Sequence, residues 1–85
     1  MRYVFYENHT IKIGVMVFMG RLVIIYDEEE IYSANLKSIV GKGFGFDVRE
    51  GSMKVRYFVE VGLKTLGLKN WVTVKRNGDL IYSDR

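Results

Sequence analysis

The residues with the clearest chemical potential lie between positions 42 and 58. Lys42, Lys54 and Arg56 supply cations there, and Phe44, Phe46 and Phe58 supply flat apolar rings. Cations interleaved with rings can track phosphates while each ring offers a stacking platform worth about 1–3 kcal/mol per base. That chemistry points to single-stranded or structured RNA or DNA. A second cluster has the opposite sign. Asp27, Glu28 and Glu30 bunch together, and Asp47 or Glu50 can approach them from a later loop. Clustered carboxylate oxygens suit a hard cation such as Ca²⁺, which takes six to eight of them, so Asp27, Glu28, Glu30 and Asp47 form the alternative site. A helix start accounts for the same acids without a ligand: Asp27 as N-cap, Glu30 at the third helical position, and acids against the positive end of the helix dipole. A third use of exposed aromatics is a homodimer or protein-partner surface.

Catalysis has few candidates. The chain has no cysteine, so a thiolate nucleophile, a thiolate metal site and a disulfide are excluded. The single histidine, His9, sits in a polar Glu7–Thr10 stretch that reads as a solvated turn. No G-x-S-x-G elbow, Walker loop or H-E-x-x-H is present. Among the carboxylates only Glu60 interrupts an apolar run, on the charged side of its strand. The expectation is a small binding module without enzymatic activity or cofactor.

The stretch Lys42-Gly43-Phe44-Gly45-Phe46 resembles the opening of the RNP1 motif of RNA-recognition-motif domains. The resemblance implies that Phe44 and Phe46 stack on bases and that Lys42 meets phosphate. It stops at Phe46: Asp47 stands where valine is expected and Arg49 where an aromatic is expected. A smaller resemblance joins Leu66-Gly67-Leu68-Lys69 and Gly78-Asp79-Leu80-Ile81 to the helix end and final hairpin of AbrB-like swapped-hairpin DNA-binding proteins. The Pro and Gly-Asp that usually link those parts are replaced by Asn70-Trp71.

The elements that must carry these residues are organised around Ile11–Tyr26, an apolar stretch broken by Gly20-Arg21. Gly20-Arg21 suits a two-residue hairpin turn, pairing Met19 with Leu22, Val17 with Ile24 and Val15 with Tyr26. Apolar residues on both sides of these strands predict cover on both faces, at least locally. Arg2 to Tyr6 reads as a first strand. After the acids, Tyr32, Leu36, Ile39 and Val40 recur at helical spacing, and Gly41 can close a helix over about 28–40. Met53 to Val61 alternates: Met53, Val55, Tyr57, Val59 and Val61 face one way, and Lys54, Arg56, Phe58 and Glu60 the other. Leu63 and Leu66 before Gly67 fit a short second helix at about 62–67. Asn77-Gly78 predicts a final hairpin with Arg76 opposite Asp79 and Val74 opposite Ile81. Its other face lines up Trp71, Thr73, Lys75, Leu80 and Tyr82. If Trp71, Lys75 and Tyr82 share a surface with Lys54, Arg56 and Phe58, the result is a basic, aromatic sheet face; the same rings can instead form a second core layer under a helix.

The expected class is α+β, a mostly antiparallel sheet of about seven strands with one clear helix. Between Leu22 and Arg76 the order allows a ferredoxin-like split unit; an all-β barrel follows if 28–40 pairs as a strand. At 85 residues the chain suits one domain with a single core. Its net charge of +3 is uneven: residues 1–36 carry three basic and five acidic side chains, and residues 37–85 carry ten and five. A polyanion partner for the second half is therefore admissible. No leader-like succession opens the sequence, and a cytoplasmic location is expected. No run is long and uninterrupted enough for a membrane helix. Missing cysteine and glutamine with 27% charged residues lean towards a heat-adapted source, while missing proline leans the other way.

Overall fold

The computed structural model describes residues 1–64 and 69–85. The described residues are nearly all β, with eight strands where about seven and a helix were expected. The α+β expectation is therefore corrected, and the ferredoxin-like arrangement goes with it. Among the described residues the only helical turn is a 3₁₀ turn, Leu36–Ser38, and no helix is long and apolar enough to cross a membrane. The strands are β1 Arg2–Tyr6, β2 His9–Met16, β3 Arg21–Tyr26, β4 Glu29–Asn35, β5 Phe44–Glu50, β6 Met53–Lys64, β7 Lys69–Arg76 and β8 Asp79–Ser83. They form two four-stranded antiparallel sheets, β1-β2-β3-β4 and β5-β6-β7-β8. The chain divides into two compact units, Met1–Ser38 and Ile39–Arg85, with one sheet in each.

In the first unit, Val4, Ile11, Ile13, Leu22 and Ile24 are buried on one face, as period-two alternation requires. Tyr3 and Phe5 of β1 lie on the other face and stay open, at 53% and 70% exposure, while on the same face of β2 and β3 Gly14 is buried and Lys12, Val23 and Ile25 are half-buried. The β2–β3 hairpin also differs from the expected register. Val15 pairs with Leu22 and Met16 with Arg21, which leaves Val17–Gly20 as the loop. The Gly20 amide donates to the Val17 carbonyl at 3.1 Å and Gly20 has φ 64°. Glycine thus ends a four-residue turn rather than opening a two-residue one. Phe18 at its tip is fully exposed.

Residues 28–40 contain no α-helix. Asp27 and Glu28 both have positive φ, 45° and 71°, the left-handed pair that a type I′ hairpin turn needs. The Asp27 amide donates to the Thr10 carbonyl, and the Asp27 Oδ1 accepts from the Thr10 amide, each at 2.9 Å. The expected helix cap therefore closes a hairpin across two strands. Behind it, β4 pairs with β3 from Tyr26–Glu29 to Arg21–Asn35, with a register shift between Ile24 and Ile25. The physical reason lies in β3: its backbone groups facing away from β2 need partners, and β4 supplies them. The helical signal survives as one turn, capped by Asn35, whose Oδ1 accepts from the Lys37 amide at 2.9 Å.

In the second unit the fully buried side chains include Val55, Tyr57, Val59, Val61, Val72 and Val74, each contributing about 1.5–3 kcal/mol by leaving water. Strand 53–61 is as expected but continues to Lys64. The short helix expected at 62–67 is thereby corrected over Gly62–Lys64, and its remainder lies outside the described residues. The Asn77-Gly78 turn is found, with φ 48° and 87° and Arg76 opposite Asp79. A register shift between Val74 and Lys75 then sets Val74 opposite Tyr82 instead of Ile81.

Candidate nucleic-acid interface

The ladder of β5, β6 and β7 decides which side chains share a face. On one side lie Phe46 opposite Tyr57, Val48 opposite Val55, and Val59 opposite both Phe44 and Val74. This is the buried side. Phe44 stacks on Phe46 at 6.2 Å between ring centroids, and Phe46 on Tyr57 at 5.4 Å. Phe46 is only 7% exposed. The two aromatics singled out with Lys42 thus extend the apolar layer, on the opposite side from Lys54, Arg56 and Phe58.

The other side is the more open face: its cations Arg49, Lys54, Arg56, Lys64 and Lys69 are exposed, Phe58, Trp71 and Lys75 are half-buried, and Thr73 is buried. Arg49 stands opposite Lys54, Asp47 opposite Arg56, and Gly45 opposite Phe58. On the β7 side, Phe58 pairs with Lys75, Glu60 with Thr73, Gly62 with Trp71, and Lys64 with Lys69. Lys54, Arg56 and Phe58 therefore do share a surface with Trp71 and Lys75. Tyr82 does not join them, because the shift in β8 turns it to the side of Val74.

Charge on this face is partly compensated. The Arg56 Nη1 donates to both Asp47 oxygens at 3.2 and 3.3 Å, with the Lys54 Nζ 3.8 Å away. The Lys75 Nζ lies 3.9 Å from Glu60. Arg49, Lys64 and Lys69 have no carboxylate partner among the described residues. Two cross-strand pairs, Arg49–Lys54 and Lys64–Lys69, set like charges directly opposite, which is destabilising in an antiparallel ladder. An anion laid on the face would relieve that repulsion.

Small residues let the large ones lie flat. A Cβ on Gly62 would fall 2.1 Å from the Trp71 ring, one on Gly43 2.5 Å from the Phe58 ring, and one on Gly45 2.6 Å from the Arg56 guanidinium. At one end, Gly41, Lys42, Gly43, Glu60, Gly62, Leu63, Trp71 and Arg85 line a cleft of about 320 Å³. The Gly41–Gly43 loop is held by the Lys42 and Gly43 amides, which both donate to the Ile39 carbonyl at 2.9 and 2.8 Å. Lys42 thus belongs to the cleft.

Three of the four carboxylates of the alternative cation site are occupied otherwise. The Asp27 Oδ2 lies 2.7 Å from the His9 Nδ1. The Lys12 Nζ donates to Glu28 at 2.9 Å, a bond that raises the Lys12 pKa. Asp47 holds Arg56, while Glu30 is exposed on β4. Among the described residues no three His, Asp or Glu side chains gather to hold a metal ion. His9, expected in a turn, opens β2 and stacks on Tyr26 at 5.6 Å.

Sequence reasoning passed over Arg49, Lys64 and Lys69 as site residues. Extending the alternation of Lys54, Arg56, Phe58 and Glu60 forward would have brought in Lys64, whereas Arg49 joins the face only through its cross-strand pairing with Lys54. Against protein-family models, curated proteins and solved structures the chain has no match, so its function has to be argued from the chemistry of this face.

Proposed function

We propose that this chain is a non-catalytic module that binds single-stranded nucleic acid on the open face of β5, β6 and β7. The observation that carries the reading is the pair of like-charge ladders, Arg49–Lys54 and Lys64–Lys69, with Phe58 and Trp71 between them. Folding tolerates this repulsion at a cost, and a phosphate backbone supplies the counter-charge. Phe58 and Trp71 offer stacking surface within the same row. Lys42 meets phosphate from the cleft, as the sequence suggests, whereas Phe44 and Phe46 support the face from its buried side.

The test is an NMR titration of isotope-labelled protein with a mixed-sequence oligonucleotide. Shifts should concentrate at Arg49, Lys54, Arg56, Phe58 and Lys64. Shifts confined to Met1–Ser38 would remove this face from the site.

A second reading, a protein-interaction surface, is supported by Tyr3, Phe5, Phe18 and Met19 of the first unit, all at least half exposed. Salt separates the two, because phosphate contacts weaken steeply with ionic strength and apolar association does not.

A further inference from the structure

The cleft at the end of the open face has its own chemistry. Its aromatic wall is Trp71, the only tryptophan of the chain. The Arg85 guanidinium lies 4.5 Å from the Trp71 ring centroid, so the ring already accepts a flat group at stacking distance. Glu60 faces the same space. Its Oε1 accepts from Thr73 Oγ1 at 3.3 Å and lies 3.9 Å from the Lys75 Nζ, while its Oε2 has no partner among the described residues. Lys42 adds a cation at the loop, and Leu63 adds apolar wall.

We infer that this cleft takes one guanine base of the bound strand. The inference rests on the reading of the face as a single-strand surface and adds a base preference to it. A carboxylate only accepts hydrogen bonds. Guanine presents two adjacent donors, N1–H and the 2-amino group, on its Watson–Crick edge. Adenine and cytosine each present a donor beside an acceptor, and uracil a donor between two acceptors. Glu60 therefore pairs in two places with guanine alone, and single-stranded recognition uses this edge. The base plane stacks on Trp71 in the place of the Arg85 guanidinium. The released guanidinium and Lys42 then meet the flanking phosphate. A cleft of about 320 Å³ is of the size that encloses a small planar ligand.

Trp71 fluorescence reads the site directly. Guanosine monophosphate should quench it saturably, and adenosine, cytidine and uridine monophosphates at least about tenfold more weakly, as a two-bond pairing discriminates. Glu60→Gln keeps the side-chain shape and should bring guanine down to the level of adenine. Equal affinity for all four nucleotides, or an unchanged preference in Glu60→Gln, would overturn the guanine site. An oligonucleotide that binds by fluorescence anisotropy without quenching Trp71 would overturn it and remove Trp71 from the stacking row, leaving the cations and Phe58 to carry the open face. Saturable, guanine-selective quenching without oligonucleotide binding would support the cleft and overturn the reading of the face. Absence of both signals overturns both.

Discussion

Tyr57 shows how a single residue ties the face to its foundation. Its ring is fully buried in the middle of β6, and its hydroxyl donates to Glu50. Glu50 in turn accepts from Arg76 Nη2 at 2.7 Å. Burial, with the bond to Glu50, pushes the Tyr57 phenol from its ordinary 10.0 up to about 12. The folded-state value lies above the unfolded one, so the neutral phenol's contribution is complete below pH 10.0 and is lost as pH rises through about 12. Thermal unfolding followed across that window should show a falling midpoint, and Tyr57→Phe should flatten the slope. An identical slope in the variant would place the titration elsewhere. Glu50→Ala removes the acceptor shared by the Tyr57 hydroxyl and the half-buried Arg76 and should cost about 1.5–3 kcal/mol in denaturant unfolding. A loss within the range of an exposed pair, under about 1 kcal/mol, would contradict the Tyr57–Glu50–Arg76 network.

Among the elements, the β3–β4 hairpin is the informative one. Its turn holds Glu28 at φ 71°, a left-handed conformation that glycine adopts freely, Asn and Asp at times, and a glutamate only at a cost. Glu28→Gly relieves that strain at the loss of one exposed ion pair with Lys12, and should raise stability by roughly 0.5 kcal/mol. In the first turn of a helix the same change would lower it, so the sign alone distinguishes the two structures. The strands Arg2–Tyr6 and 53–61 and the Asn77-Gly78 hairpin were legible because each rests on local chemistry: alternation, or a turn dipeptide. Residues 28–40 were not. Acids followed by Tyr32, Leu36 and Ile39 satisfy helix capping and helical spacing well, and nothing local announces that β3 lacks a neighbour. The Ile11–Tyr26 register failed for a related reason, since one glycine serves equally to open a short turn or to close a longer one. The bulge beside Lys75 that turned Tyr82 away has no sequence mark at all. The site was legible in part. Lys54, Arg56 and Phe58 followed from alternation, whereas Phe44 and Phe46 matched a motif whose strand turns them the other way.

Across the whole molecule, the change in charge balance at residue 36 falls beside the boundary between the units at Ser38. The basic excess therefore belongs to the second unit, and much of it to one face of one sheet. An all-antiparallel chain should give a far-ultraviolet circular dichroism spectrum with a single β-type minimum; a helical double minimum would restore the helix over 28–40. The most direct test of the central claim is the affinity for a labelled single-stranded oligonucleotide, by anisotropy at stepped salt concentrations, for the native chain and for Lys54→Gln with Arg56→Gln. Affinity should fall logarithmically with salt, with a slope of about −0.7 per phosphate contact, made shallower by the double substitution and accompanied by weaker binding throughout. Binding that ignores salt, or that is unchanged in the double variant, would contradict the claim.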